Sequence, residues 1–71
     1  MEMTKYEARV RLGELMDDLY TRDDYEEVYD KARGVIASIE KTSPKTAEKA
    51  KMIMDLPRSY DENIFDVMEL L

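Results

Sequence analysis

Helix-start signals divide the chain into four segments and constrain its fold more than any other feature. Thr4-Lys5-Tyr6-Glu7 and Ser59-Tyr60-Asp61-Glu62 match the capping box, in which a hydroxyl and a glutamate three residues later exchange hydrogen bonds with free backbone N–H groups. The acids of Asp23-Asp24-Tyr25-Glu26 suit the positive end of a helix dipole, and Ser43-Pro44 places proline at a first helical position. We therefore predict a helix after each signal, the first over residues 5–20.

Apolar side chains in each segment recur every three or four residues, which is the spacing of one helix face. No run alternates apolar and polar side chains as a half-buried strand would. Because short connections make neighbouring helices antiparallel, we predict a single domain over residues 1–71. The predicted fold is all-α: a small antiparallel helical bundle of three main helices plus a short C-terminal helix. The four predicted faces are Ala8, Leu12, Leu15, Met16 and Leu19; Tyr25, Val28, Tyr29, Ala32, Val35, Ile36 and Ile39; Ala47, Ala50, Ile53 and Met54; and Tyr60, Ile64, Val67, Met68 and Leu71.

Composition excludes several classes of function. The chain has no cysteine and no histidine, which removes disulfides, thiolate ligands, the usual zinc ligand and the usual general base. A bundle of 71 residues also offers little room for a catalytic cleft, so we expect no enzymatic activity, no cofactor and no metal. No apolar run approaches the ~20 residues of a membrane span, and no signal-peptide pattern opens the chain. We expect a cytoplasmic protein with no membrane partner.

An acidic block over residues 17–30 contains seven carboxylates, one arginine and three tyrosines. Calcium is the first candidate ligand, because hard cations prefer oxygen. An EF-hand loop needs glycine at its sixth position and glutamate at its twelfth, whereas counting from Asp17 gives Arg22 and Val28. Paired carboxylates also serve glycoside hydrolysis, but that chemistry needs a cleft. The block therefore predicts a surface for a basic partner.

Helical periodicity divides this block into an inward and an outward set. Tyr25, Val28 and Tyr29 belong to the apolar face of the second helix, so we expect them to turn inward, with the two tyrosines at the edge of the core and their hydroxyls reaching water. Outward carboxylates that imitate phosphate spacing can occupy the basic groove of a nucleic-acid-binding protein. The competing interpretation is that these acids only stabilise the start of the second helix and face solvent. We call the outward set the acidic corner: Asp17, Asp18, Tyr20, Asp23, Asp24 and Glu27.

A further set of apolar residues lies off the main helix faces, and we call it the second apolar face. It is a candidate for a homodimer interface, because contiguous exposed apolar surface usually marks a binding site. The alternative is that the fourth helix folds over the first and buries the set within one chain. Gly13 favours a close helix–helix contact, since glycine inside a helix often has a packing reason. The set consists of Met3, Tyr6, Val10, Gly13, Met52, Leu56, Phe65 and Leu70.

Basic side chains are concentrated in residues 41–58, where five bases accompany two acids in a chain of net charge −6. Lys41, Lys45 and Lys49 stand four residues apart, which suits either a small phosphate-binding patch or an ordinary solvated helix face. A specific nucleic-acid binder usually has a net basic domain and a recognisable module. The acidic chain has neither, so we expect no direct, specific binding of nucleic acid.

Three classes of function remain open from the sequence. The leading one is a small non-enzymatic acidic regulator that binds a basic protein, in its sharpest form as an inhibitor that occupies the basic surface of a nucleic-acid-binding protein. The alternative is a structural or assembly adaptor whose second apolar face mediates oligomerisation. A third class is a nucleic-acid-associated accessory protein that uses Lys41, Lys45, Lys49 and Lys51.

Overall fold

A computed structural model describes residues 2–71, which form four α-helices. The helices are α1 (Lys5–Thr21), α2 (Tyr25–Ala37), α3 (Pro44–Met54) and α4 (Tyr60–Leu70), and the described residues contain no strand. The all-α prediction and the four predicted helix starts are confirmed. The C-terminal helix is not shorter than its neighbour, because α3 and α4 each have 11 residues.

The two predicted capping boxes have different outcomes. At the start of α1, the Glu7 N–H donates to the Thr4 hydroxyl at 3.1 Å and the Thr4 N–H donates to the Glu7 carboxylate at 3.1 Å. At the start of α4, the Ser59 hydroxyl donates to the Glu62 carboxylate at 2.7 Å and makes no cap to the backbone. A hydroxyl donating to a carboxylate forms a strong charge-assisted bond, which takes the place of the expected reciprocal pair.

The helices surround one apolar interior. Both α1 and α3 pack against α2 and α4, α2 also contacts α4, and α1 does not contact α3 within the described chain. The interior contains most of the residues predicted for the four helix faces, which confirms the helical periodicity. The buried apolar residues are Ala8, Leu12, Leu15, Leu19, Val28, Tyr29, Ala32, Val35, Ile36, Ile39, Ala47, Ala50, Met54, Ile64 and Val67.

Tyr25 is predicted to turn inward at the edge of the core, but its side chain is 49% exposed and does not belong to the core. Tyr25 is the first residue of α2, whereas α1 already ends at Thr21, so the end of the bundle leaves this ring uncovered. The following members of the same face, Val28 and Tyr29, are buried, and the Tyr29 hydroxyl bonds the Met54 carbonyl and Asn63 instead of reaching water as expected. Periodicity gives the direction of a side chain around a helix but not whether a neighbouring helix reaches that far.

The second apolar face is only partly covered by α4. A Cβ atom built on Gly13 would lie 3.4 Å from the Met68 methyl group, so α4 does approach α1 closely there. Met3 packs against the core, and its N–H donates to the Ser38 carbonyl at 3.0 Å. Folding of α4 over α1 therefore accounts for Gly13, whereas the backbone of Met3 is bonded to Ser38 at the end of α2. The other six remain exposed: Tyr6, Val10, Met52, Leu56, Phe65 and Leu70.

Gly34→Ala is expected to raise the free energy of unfolding by about 0.5–1 kcal/mol, because alanine is the better helix former. Gly34 lies inside α2, has no positive φ, and a Cβ there would meet nothing within 4 Å. Urea denaturation followed by circular dichroism measures the change. Gly13→Ala is the matched comparison, with an equal or smaller gain because its methyl group would touch Met68. A loss of stability in Gly34→Ala would contradict the open surroundings described here.

Candidate protein-binding site

The acidic corner is formed by the last turn of α1, the loop over residues 22–24 and the first turn of α2. Within it, Arg22 forms a two-pronged ion pair with Asp24, at 3.0 Å from Nε and 2.6 Å from Nη2. Hydrogen bonding with Glu27 and with Arg22 holds the pKa of Asp24 below its usual range. Asp24, Asp18 and Glu27 in turn raise the pKa of Arg22. Three of the predicted acids therefore gather around the one base of the block.

The remaining members of the corner have different surroundings. The Tyr20 hydroxyl donates to Asp61 Oδ2 at 3.1 Å and so links α1 to the first turn of α4. The nearby Ser59 hydroxyl and the hydrogen bond from the Tyr20 hydroxyl lower the pKa of Asp61. The hydrogen bond to Asp61, the charge of Asp61 and the more distant charge of Asp17 raise the pKa of Tyr20. Asp61 thus joins the site, although it is 41 residues away in sequence and was not among the predicted site residues.

Three tyrosines meet beside this hydrogen bond and line a shallow cleft of about 260 Å³. We call it the tyrosine cleft; its walls are Leu19, Tyr20, Tyr25, Tyr60 and Asp61. Tyr20 is 70% exposed and Tyr25 is about half exposed, so both rings are accessible to a partner. None of the five lining residues is basic. The cleft thus combines aromatic walls with a carboxylate and has no cation of its own.

Tyr60 also belongs to a stack that continues away from the cleft. Its ring lies on Tyr29, with ring centroids 4.0 Å apart and an interplanar angle of 16°. The guanidinium carbon of Arg33 lies 5.2 Å from the centroid of the Tyr29 ring. Tyr60 lines both the tyrosine cleft and a second, polar cleft of about 320 Å³ that contains Tyr29, Arg33 and Asn63. Side chains of α2 and α4 therefore form this series of Arg33, Tyr29 and Tyr60.

Asn63 holds this stack in place and is the buried polar residue of the core, at 1% exposure. Its amide Nδ2 donates to the Tyr29 hydroxyl at 3.0 Å and to the Leu56 carbonyl at 3.1 Å, and its Oδ1 accepts from Arg58 Nε at 3.0 Å. The Tyr29 hydroxyl donates to the Met54 carbonyl. Because its polar atoms are satisfied within the chain, Asn63 has a structural role in joining α2, the end of α3 and α4.

Sequence reasoning missed Asn63, although a signal was present. Asn63 lies three residues after Tyr60 and four before Val67, which places it on the apolar face of α4. A polar side chain at such a position has to find hydrogen-bond partners inside the protein. The sequence could therefore flag the position, but the partners come from α2 and the α3–α4 loop and are visible only in the fold.

Ion pairs engage two of the five basic side chains of residues 41–58, Lys51 and Arg58. Arg58 pairs with Asp66 at 2.8 Å, Asp55 pairs with Arg33 at 3.2 Å, and Lys51 pairs with Glu40 across the α2–α3 connection. Lys41, Lys45 and Lys49 are exposed, as a solvated surface would be. Nothing in these contacts builds a phosphate site from the lysines, and their proposed role in binding nucleic acid gains no support.

Neither a metal centre nor a known relative identifies a further site in the described residues. In the described part of the chain, no three acidic side chains come close enough together to hold a metal ion. No described helix has the length and apolar character needed to cross a bilayer. No protein-family model, no curated protein and no solved structure matches this chain. The functional conclusion therefore depends on the surface of the molecule itself.

Proposed function

We propose that this chain is a small, non-enzymatic acidic regulator that acts by binding a basic protein partner through the acidic corner. The observation that carries the proposal is the accessible Tyr20 ring, 70% exposed, beside Asp17 and Asp61. Aromatic side chains are enriched in protein interfaces relative to the rest of the surface, and carboxylates beside such a ring complement a basic partner. The single base of the block, Arg22, is already paired with Asp24 and leaves the other charges to a partner.

Charge supports the same partner chemistry. The chain has a net charge of −6, and residues 59–71, which contain α4, include four acids and no base. α1 and α2 meet α4 at the acidic corner, so their negative fields add there. Such a field attracts a basic surface and raises the rate of association at low salt. In the sharpest form of the proposal the partner is a nucleic-acid-binding protein, whose basic groove the chain occupies and blocks.

Neutralising the corner is expected to weaken partner binding about tenfold or more, since close charge pairs at interfaces contribute strongly. The test variant is Asp17→Asn, Asp18→Asn and Asp23→Asn combined, which leaves the Arg22–Asp24 pair intact. The matched control neutralises three distant acids: Glu2→Gln, Glu48→Gln and Glu69→Gln. The partner is isolated by affinity capture at low salt, identified and purified, and its Kd for each variant is measured by calorimetry.

The control variant has the same net charge as the test variant, so it separates the corner from the overall field. Under the proposal, the partner is a basic protein that salt releases, and only the corner variant loses affinity. For an inhibitor of a nucleic-acid-binding protein, added DNA or RNA also competes with the chain for the partner. An acidic or apolar partner, or equal affinity of both variants, would contradict the proposal.

A second candidate function is an assembly adaptor that forms a homodimer. It is favoured by the apolar residues that α4 leaves uncovered, among them Tyr6, Val10, Met52 and Phe65. Sedimentation of the protein at high concentration tests it, with Val10→Asp or Phe65→Ala expected to break the assembly. A clean monomer would rule out the adaptor and leave the regulator unaffected. Two expectations are common to both proposals. Helices joined by short loops run antiparallel. The chain contains no cysteine, which suits the reducing cytoplasm.

A further inference from the structure

We propose that the tyrosine cleft receives the guanidinium group of an arginine side chain from the partner protein. This inference rests on the proposed function and names the contact that makes the acidic corner selective. The cleft combines the two features that an arginine head requires: aromatic surface to lie on, and a carboxylate to accept its N–H groups. The aromatic surface and the carboxylate are supplied by residues of α1, α2 and α4.

The aromatic part of the cleft comes from Tyr20, Tyr25 and Tyr60. A tyrosine ring carries negative charge on its faces, so it attracts a cation within about 6 Å of its centroid. Guanidinium is flat and weakly hydrated, and it stacks on rings more readily than a compact ammonium does. A cleft of about 260 Å³ has room for such a group without displacing protein atoms.

The carboxylate of the cleft is Asp61. Its Oδ2 accepts the Tyr20 hydroxyl at 3.1 Å, and a carboxylate can accept about four hydrogen bonds, so capacity remains for guanidinium N–H groups. The same hydrogen bond holds the Tyr20 ring beside Asp61, which orients the aromatic wall before a partner arrives. Asp61 is charged at neutral pH as aspartates ordinarily are, and its lowered pKa keeps it charged into more acidic solution.

The chain already contains one contact between an arginine and a tyrosine ring, next to the cleft. Arg33 lies over Tyr29 at 5.2 Å, and Tyr29 is stacked on Tyr60 at 4.0 Å. At the other end of the series, Tyr60 borders the tyrosine cleft, where no lining residue supplies a cation. An incoming arginine would place a cation at that end as well. The acidic corner beside the cleft favours a positively charged occupant over an apolar one.

The test compares two peptides that differ in one side chain. Each is a nonapeptide with lysines near both ends and glycine and serine between them; its central residue is arginine in one and lysine in the other. We titrate each into the ¹⁵N-labelled protein at low salt and follow amide and tyrosine ring shifts by NMR. The arginine peptide is expected to bind about threefold to tenfold more tightly, which is the range that cation–π contacts supply.

Two variants localise the selectivity. Tyr25→Leu keeps an apolar side chain but removes an aromatic wall, and Asp61→Asn removes the carboxylate charge. Each is expected to abolish most of the preference for arginine. Tyr6→Leu is the matched control, because Tyr6 is an exposed tyrosine of α1 that does not line the cleft, and it should leave the preference unchanged. Circular dichroism of each variant verifies that the helices are retained.

The outcomes separate this inference from the proposed function. Equal affinity of the two peptides, binding of neither, or an undiminished preference in Tyr25→Leu would overturn the arginine cleft. The regulator proposal would survive each of those results if the purified partner still binds and still loses affinity when the corner is neutralised. Conversely, an arginine preference that vanishes in Tyr25→Leu supports the cleft whatever the identity of the natural partner.

Discussion

Replacing Asn63 with leucine is expected to lower the free energy of unfolding by about 2–3 kcal/mol. Leucine branches at the same atom as asparagine but is larger, so no cavity forms and the loss combines missing hydrogen bonds with some overpacking of the buried site. The Leu56 carbonyl loses one of two donors and keeps the Arg58 backbone N–H, the Tyr29 hydroxyl loses a donor, and Arg58 Nε loses its acceptor. A buried polar group without a partner costs about 1–3 kcal/mol, and Arg58 at the surface recovers part of its loss from water.

This effect is large relative to the whole molecule. A chain of this length has a core that rarely supplies more than about 3–5 kcal/mol, so the variant is expected to be partly unfolded at room temperature. Urea denaturation at low temperature, followed by circular dichroism, measures the shift in midpoint. Glu69→Leu is the matched control: it introduces the same side chain at an exposed position of α4 and should change stability by less than about 0.5 kcal/mol.

A double-mutant cycle with Tyr29→Phe then tests the network itself. Because Tyr29 and Asn63 are directly hydrogen bonded, the two substitutions are expected to couple by about 0.5–3 kcal/mol. Additive effects, or an Asn63→Leu variant as stable as the original, would show that the buried network does not hold the helices together. The network also supports the candidate site, since Tyr29 stacks on Tyr60, which lines the tyrosine cleft. Asn63→Leu should therefore also weaken selectivity for arginine.

Replacing Leu12 with alanine is expected to cost about 2–5 kcal/mol, the usual range for emptying a fully buried leucine site. Leu12 lies on α1 and is completely buried in the core of the protein, so its replacement removes apolar burial and leaves a cavity. Against a total stability of about 3–5 kcal/mol, this loss leaves at most about 3 kcal/mol, so the variant should be marginally stable or unfolded at 25 °C. A much lower urea midpoint, with loss of the helical circular dichroism signal at the larger costs, is the expected reading.

Two companion variants keep this result interpretable. Val10→Ala removes a similar side chain from the same helix, but at an exposed position, and should cost less than about 1 kcal/mol. Leu12→Met nearly conserves volume and should cost less than about 1.5 kcal/mol. If Leu12→Ala were no more costly than Val10→Ala, Leu12 could not lie at the centre of the core.

Much of the local structure could be predicted from short-range signals. Thr4 and Glu7 form the expected capping box, Pro44 is the first residue of α3, and the apolar spacing of α2 identifies Val28, Tyr29, Ala32 and Ile36 as core residues. These signals are readable because their interactions join residues within one or two helical turns. Ser59 shows that even short-range prediction has a limit. Its hydroxyl could have accepted a backbone N–H or donated to the Glu62 carboxylate, and it donates to the carboxylate.

The candidate site was predicted less completely than the helices. The sequence identified the carboxylates of the acidic corner and Tyr20, but it treated them as one surface. The fold divides them: Asp24 and its neighbours surround Arg22, whereas Tyr20 is bonded to Asp61 on α4. Tyr25 belongs to the same site only because α1 stops at Thr21 and leaves its ring open.

The sequence by itself determined where the helices begin and which faces are apolar, since capping and periodicity depend on residues close together in the chain. Only the tertiary structure decided that Tyr20 meets Asp61, that Tyr29 stacks on Tyr60, and that Asn63 joins α2 to α4. Those contacts span 41, 31 and 34 residues, and none exists until the bundle closes. Burial of the apolar faces brings these side chains together, so packing created the tyrosine cleft from residues that no local pattern connects.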